Sequence, residues 1–442
     1  MKIGCRGRFL PSAFLRPFVF CLLTFVFHFF STVFFAQEYK LNLPVEHPAI
    51  AYATESVDDS VARLARQIER GSVALEARSD VLGTLREVLR HLQVNLDSQM
   101  LVFSKTSFQA SRISPDQPRA IYFNDEVAVA YVPGDPNLEV AAVDPVLGPV
   151  FYTISAGASG KPSAARRDVC LRCHQGPNTA GVPGIYVGSV IPGPSGAPLR
   201  GDSAIITDHR SAFKDRWGGW YVTATRGEQP DRANAVASDP ADPETLVRES
   251  RQNVSSLAGL FDRASYLAPT SDIVALMTFE HQTQMINLMT RVSWQARMAA
   301  HAGEADDRAW AALDADVGEL VTYMLFGGEA PLAAPIEGVS TFTRTFAERG
   351  PRDGRGRSLR DFDLQTRLFR YPLSYMIYSA AFDALPASAH ERIYRRLHRV
   401  LRDEDRRPEF AHLSREDRRA IVEILKDTKT TVPDYWREAI EW

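Results

Sequence analysis

Ala120-Ile121-Tyr122-Phe123-Asn124-Asp125-Glu126-Val127-Ala128-Val129-Ala130-Tyr131 is the stretch whose reading decides the fold class. Aromatic and β-branched residues flank a short polar turn, which favours two antiparallel strands, because such side chains suit a pleated, half-buried surface. A second pair follows at once: Leu138 to Val143 and Val150 to Ile154 flank a Pro/Gly turn. Gly184 to Ile191, Ala204 to Thr207 and Trp220 to Ala224 read as further short strands separated by Pro and Gly.

Helical patterns surround this β-rich middle. Val61, Leu64, Ala65 and Ile68 share one face ahead of Gly71, and Val81, Leu82, Leu85, Val88, Leu89 and Leu92 form a second stripe after Ser79. From Pro243 onward the chain reads as helical, with strong segments over 271–301 and 305–326, the latter stopped by Gly327-Gly328. Helices resume around Tyr375, from Pro386 to Arg402, and after the Ser414-x-x-Asp417 capping pattern. The expected fold is α+β: N-terminal helices, a small antiparallel sheet, and a helical C-terminal half. Gly350 to Arg357, basic and Gly-rich, is the expected boundary between a domain over 37–340 and a helical region over 358–442. The arginines between Arg344 and Arg419 read as a solvated helical surface.

Inside the β-rich region stands Cys170-Leu171-Arg172-Cys173-His174. Two thiols at this spacing can add to the two vinyl groups of a haem, and the adjacent histidine is then placed to coordinate the iron. Cys5 and Cys21 lie before or within the N-terminal apolar segment, so the rest of the chain keeps only Cys170 and Cys173. A disulfide framework uses more cysteines, and a four-thiolate site needs a second pair. Two other readings compete: half of a zinc site completed by His174 and a distant ligand, and a thioredoxin-like dithiol. No β-α-β pattern surrounds the motif, and Gly/Pro-rich sequence follows it. The expected cofactor is one covalent haem c on Cys170 and Cys173, with His174 as proximal iron ligand.

Lys2, Arg6, Arg8 and Arg16 precede an uncharged apolar run from Pro17 to Ala36. This reads as a signal peptide or N-terminal membrane anchor over residues 1–36. Phe34 sits where a cleavage site wants a small side chain. Either way the body is exported, to a periplasmic or membrane-anchored location facing the periplasm. The net charge is −3, and those four basic residues with no acid leave −7 for the rest. A mildly acidic body argues against nucleic acid as a partner. The 45% hydrophobic and 24% charged fractions are those of an ordinary globular protein.

The sixth iron ligand separates electron transfer from ligand chemistry, since a strong second ligand favours the former and an open position permits the latter. The first Met after His174 is Met277, too distant for a small cytochrome c architecture. His209, in Thr207-Asp208-His209-Arg210, and His281 are the other distal candidates, with His281 slightly ahead. Met277, His281, Met285 and Met289 recur every four residues and share a helix face. Arg210 and Arg216 are candidate partners for haem propionates, and Trp217 and Trp220 could wall the pocket. Each of these also has an ordinary reading as core or loop packing.

Ile121-Tyr122-Phe123-Asn124-Asp125, Cys170 to His174, Thr207 to Arg210, Arg216 to Val222, Glu280-His281-Gln282 and Asp363 to Leu368 together resemble exported single-haem "cytochrome c domain-containing" proteins of bacteria. The resemblance spans most of the body. It implies covalent haem at Cys170 and Cys173, iron at His174, and a periplasmic or membrane-facing location, and it carries no substrate or catalytic residues. The expected function is single-electron transfer outside the cytoplasm with redox protein partners. The alternatives are a haem enzyme or ligand sensor with an open distal position, and a zinc-binding structural protein.

Overall fold

A computed structural model describes residues 41–73, 81–155, 163–199, 204–239, 245–246, 250–303 and 305–436. The N-terminal apolar run lies outside these residues. Among the described residues no helix is long and apolar enough to cross a membrane.

Helices α1 (Ser60–Glu69) and α2 (Val81–His91) come first. Asp59 caps α1, its carboxylate accepting from the Val61 and Ala62 amides, the usual remedy for the unpaired donors of a first turn. Then come strands β1 (Met100–Val102), β2 (Arg119–Phe123), β3 (Val127–Tyr131), β4 (Asn137–Asp144), β5 (Gly148–Ser155) and β6 (Ser163–Arg166). They form an antiparallel sheet in the order β6-β5-β4-β3-β2-β1-β9, where β9 is Trp220–Tyr221. Both expected hairpins are present: Tyr122 stands opposite Val129, and Val140 opposite Tyr152. The sheet has seven strands rather than a few. The additions β1 and β6 are three and four residues long. β6 is Ser-Ala-Ala-Arg at an open edge, with neither alternation nor β-branched residues to announce it.

Between β6 and β9 lie the short helix α3 (Leu171–His174) and a separate ribbon of β7 (Val187–Ser189) with β8 (Ile205–Thr207). The expected strand over 220–224 divides: Trp220 and Tyr221 join the large sheet, while Ala224 and Thr225 pair with Gly338 and Glu337.

The C-terminal half holds α4 (Ile273–Ala302), α5 (Asp307–Met324), α6 (Phe342–Glu348), α7 (Ala380–Asp383), α8 (Ala387–Leu401) and α9 (Arg415–Thr428). At 1.5 Å rise per residue, α4 is about 45 Å long. Its first eleven residues are all buried, so it runs through the core rather than along it. The expected helices at 271–301, 305–326, 386–402 and after Ser414 stand where the pattern placed them. The chain before α4 is less helical than expected: residues 250–272 are irregular apart from one helical turn, Arg263–Ser265, while the segment ahead of Tyr375 is loop. Residues 349–374 are irregular, held by carboxylates that accept several amides each: Asp353 from Arg355 and Arg357, Asp363 from Gln365 and Thr366. Such short polar side chains give the backbone an alternative to the helix.

The two faces of the sheet belong to two cores. Leu101, Phe103 and Tyr122 pack with α1, α2 and Trp294; Met100, Val102 and Phe123 pack with α4, α5, α8 and α9. Residues 40–442 form one compact unit. The second core contains both Phe326 and Leu332 before the 350–357 loop and Leu373, Leu397 and Ile421 after it. The arginine-rich segment is only partly a solvated surface. Arg360 is buried, pairs with Asp125 and stacks on Phe346 and Tyr375 at 4.6 and 4.4 Å. Arg418 is buried too and donates to the Val400 and Phe410 carbonyls.

Candidate haem-attachment site

The motif leaves the edge of the sheet. β6 ends at Arg166, the Arg167 amide continues the ladder to the Phe151 carbonyl at 2.8 Å, and a helical turn over Asp168–Cys170 leads into α3. Cys170 is half-buried and Cys173 exposed, and both are free thiols. Burial pushes the Cys170 thiol above its ordinary value. Three residues apart on a helical turn, the two sulfurs leave from neighbouring positions on one side of the helix.

His174 is held from two directions. Its Nδ1 lies 2.9 Å from the Gly184 carbonyl, and the Gly184 amide donates to the His174 carbonyl at 2.8 Å. A carbonyl accepts only from a protonated nitrogen, so Nδ1 carries the hydrogen and Nε2 the lone pair. Burial, with Arg119 nearby, lowers the imidazole's pKa and favours the neutral ring. Phe151 and Tyr186 pack on it, with centroids at 4.8 and 5.5 Å. A neutral imidazole with Nδ1 tied to a carbonyl and Nε2 unclaimed is the form that ligates iron. The residues at the motif therefore fit a covalent haem: two unpaired thiols, one oriented nitrogen and an aromatic flank.

The other sequence candidates gather elsewhere, in the core between β8, the 208–220 turn and α4. Glu280 is fully buried and accepts from Thr207 Oγ1 at 2.6 Å, Trp217 Nε1 at 3.0 Å and Arg216 at 3.2 Å. Burial outweighs these donors and raises its pKa to about 7. His209 and His281 meet Nδ1 to Nδ1 at 2.9 Å, so one ring donates and the other accepts. His281 Nε2 is bonded to Ser374 Oγ at 2.8 Å, and Tyr323 and Phe326 stack on the ring at 5.3 and 4.4 Å. Both nitrogens of His281 are thus in use, whereas His209 Nε2 is buried without a partner. Burial lowers both imidazoles, His281 to about 3.

Arg210, expected near a propionate, pairs with Asp208 at 2.6 Å and lies over Tyr323. Arg216 pairs with Glu280. Trp217 is fully buried at φ +67°, followed by Gly218, where a Cβ would lie 1.9 Å from the Val190 carbonyl oxygen. Trp220 donates to the Gly188 carbonyl at 2.8 Å. Met277 packs in the C-terminal core. His209, His281, Arg216 and Trp217 are therefore brought together. Among the described residues no hydrogen bond or ring contact joins them to His174. Nor do three His, Cys, Asp or Glu side chains converge there to hold an ion.

Gly184, Phe151, Tyr186 and Asn287 were not singled out from sequence. Only Asn287 carried a signal, as a polar residue inside the apolar run Met285-Ile286-Asn287-Leu288-Met289. Comparison with known proteins finds no matching family model, no similar curated protein and no similar solved structure.

Proposed function

We propose that this protein is a c-type cytochrome carrying one covalent haem and passing single electrons to a redox protein outside the cytoplasm. The observation that carries the reading is His174: its Nδ1 is committed to Gly184 and its Nε2 lone pair is left free to coordinate a metal, one residue from an unpaired thiol. Cys170 and Cys173 would hold the haem, which supplies a one-electron couple when bound. Exposure of Cys173 leaves the attachment edge open to a partner. Phe151 and Tyr186 exclude water from one side of the imidazole. The export reading of residues 1–36 and the resemblance to exported single-haem proteins support the compartment.

The test is the alkaline pyridine spectrum of the denatured chain after co-expression with a haem-attachment system, with haem staining of a denaturing gel. The expected result is haem that stays with the wild-type polypeptide and is lost from the Cys170→Ala, Cys173→Ala double variant. Absence from the wild type, or survival in the double variant, overturns the reading.

The packing of His281 and His209 against each other favours a second reading, a haem enzyme or ligand sensor. His281 is bonded at both nitrogens, and His209, whose Nε2 is free, makes no contact with His174 among the described residues; with neither ring as second ligand, a bound haem iron would be able to take an exogenous one. A carbon monoxide shift of the ferrous spectrum supports this reading, and an unshifted low-spin spectrum returns the protein to simple electron transfer.

A further inference from the structure

Asn287 lies at the middle of α4, fully buried among apolar neighbours. A buried primary amide is costly unless both its ends are satisfied. Here both ends act on a single residue of another segment. Oδ1 accepts the Ile185 amide at 3.1 Å, and Nδ2 donates to the Ile185 carbonyl at 2.8 Å, with a longer contact to Gln284 Oε1 at 3.4 Å. Ile185 is bonded to the side chain as it would be to a neighbouring strand, so its φ and ψ are held from the helix.

Directly before Ile185 stands Gly184, whose carbonyl and amide make the two bonds to His174. A Cβ on Gly184 would lie 2.3 Å from Asn287 Oδ1 and 2.6 Å from Thr179 Cβ. The glycine is what allows the amide to approach this closely. One turn further along α4, Arg291 donates to the Ala180 carbonyl at 2.8 Å and is itself held by Asp316 at 3.0 Å. The segment after the motif is thus fastened to α4 at two points spaced by one helical turn, and the nearer one borders the acceptor of the imidazole.

We propose that Asn287 is the positioning residue for the proximal ligand. By fixing Ile185 it aims the Gly184 carbonyl at His174 Nδ1, and so sets the orientation and electron-donating strength of the imidazole toward the iron. The inference rests on the haem reading of Cys170, Cys173 and His174. Its chemistry is general: a carbonyl on the far nitrogen of a ligating imidazole raises its basicity, and removing such support commonly costs about 10–100-fold in metal affinity or activity. A weaker donor favours the reduced iron, so loss of the clamp raises the midpoint potential.

The experiment compares wild type, Asn287→Ala, Asn287→Ser and the control Thr278→Val in the full chain. Thr278→Val also removes a buried polar group from α4, one whose hydroxyl donates to the Val274 carbonyl of the same helix. Three readouts are taken: bound haem by the pyridine spectrum, midpoint potential, and hydrogen exchange of the Ile185 amide. Expected for Asn287→Ala is retained haem, faster exchange at Ile185, and a potential raised by the equivalent of about tenfold in the one-electron equilibrium, ~59 mV. Asn287→Ser, with a shorter hydroxyl, is expected in between and serves if the alanine variant does not fold; Thr278→Val is expected at the wild-type potential. A potential unchanged in the Asn287 variants, or shifted equally in Thr278→Val, overturns the positioning role. Haem absent from the wild type overturns the cytochrome reading instead, and the exchange rate at Ile185 still reports whether the clamp holds that segment.

Discussion

His209 and His281 are neutral imidazoles in a closed core, and their titration has a consequence for stability. The folded His281 pKa, about 3, lies below the ordinary 6.5. Between those values the unfolded chain binds a proton that the folded chain refuses, so acidification erodes stability by about 1.4 kcal/mol per pH unit for this group. The penalty begins as pH falls below about 6.5 and ends near 3. Replacing His281 with Gln removes it. The advantage of wild type over His281→Gln in urea unfolding is therefore expected to shrink by about 1 kcal/mol from pH 6.5 to 5.5, and by about 1.4 kcal/mol per unit below that; a constant gap would mean that the ring titrates alike in the folded and unfolded chain. Glu280 faces the opposite hazard. Its Gln variant leaves Arg216 as a buried cation without its carboxylate, and breaking such a pair is expected to cost about 3–5 kcal/mol in the same assay.

Helix α4 is the element on which the rest depends. Asp272 caps it, accepting from Val274 at 2.8 Å and Ala275 at 3.4 Å, and its second oxygen takes the Ser340 amide at 2.8 Å. Asp272→Ala orphans all three donors in a buried place, so a loss of about 2 kcal/mol or more is expected, above an ordinary cap. Thermal unfolding measures it. Fourteen residues after Ile273 the same helix presents Asn287 to the segment after Cys170–His174. Gly184→Ala drives a methyl into that amide, with an expected cost of about 1–3 kcal/mol as the segment moves away. Haem loading should fall with it, because the Gly184 carbonyl that orients His174 shifts.

Across the whole molecule, the loop at 350–357 is accessible but does not separate two cores. Arg352 and Arg355 are exposed, while Phe326, Leu373 and Leu397 share one apolar cluster across the loop. Trypsin is expected to nick there first, leaving two fragments that elute together by size exclusion until denaturant is added. Fragments that separate in native buffer would place an independent domain after the loop. Much of this architecture was legible beforehand. Tyr122 to Tyr131 declared a hairpin because its side chains alternate about a polar turn, and Ser414-x-x-Asp417 declared a helix start because the cap is local chemistry. The thiols and histidine at 170–174 stand out in the sequence because they lie within five residues of one another. What lay beyond sequence was whatever depends on distant segments meeting. β6 is a strand because β5 offers it a ladder, Arg360 is buried because Asp125 reaches it from another hairpin, and His281 faces His209 rather than the motif because α4 is turned by its packing. By itself the sequence determined the helices and hairpins whose signals are local. The tertiary structure alone decided that Gly184 meets His174 and Asn287 meets Ile185, since a hydrogen bond across 102 residues leaves no local pattern that gives its partner.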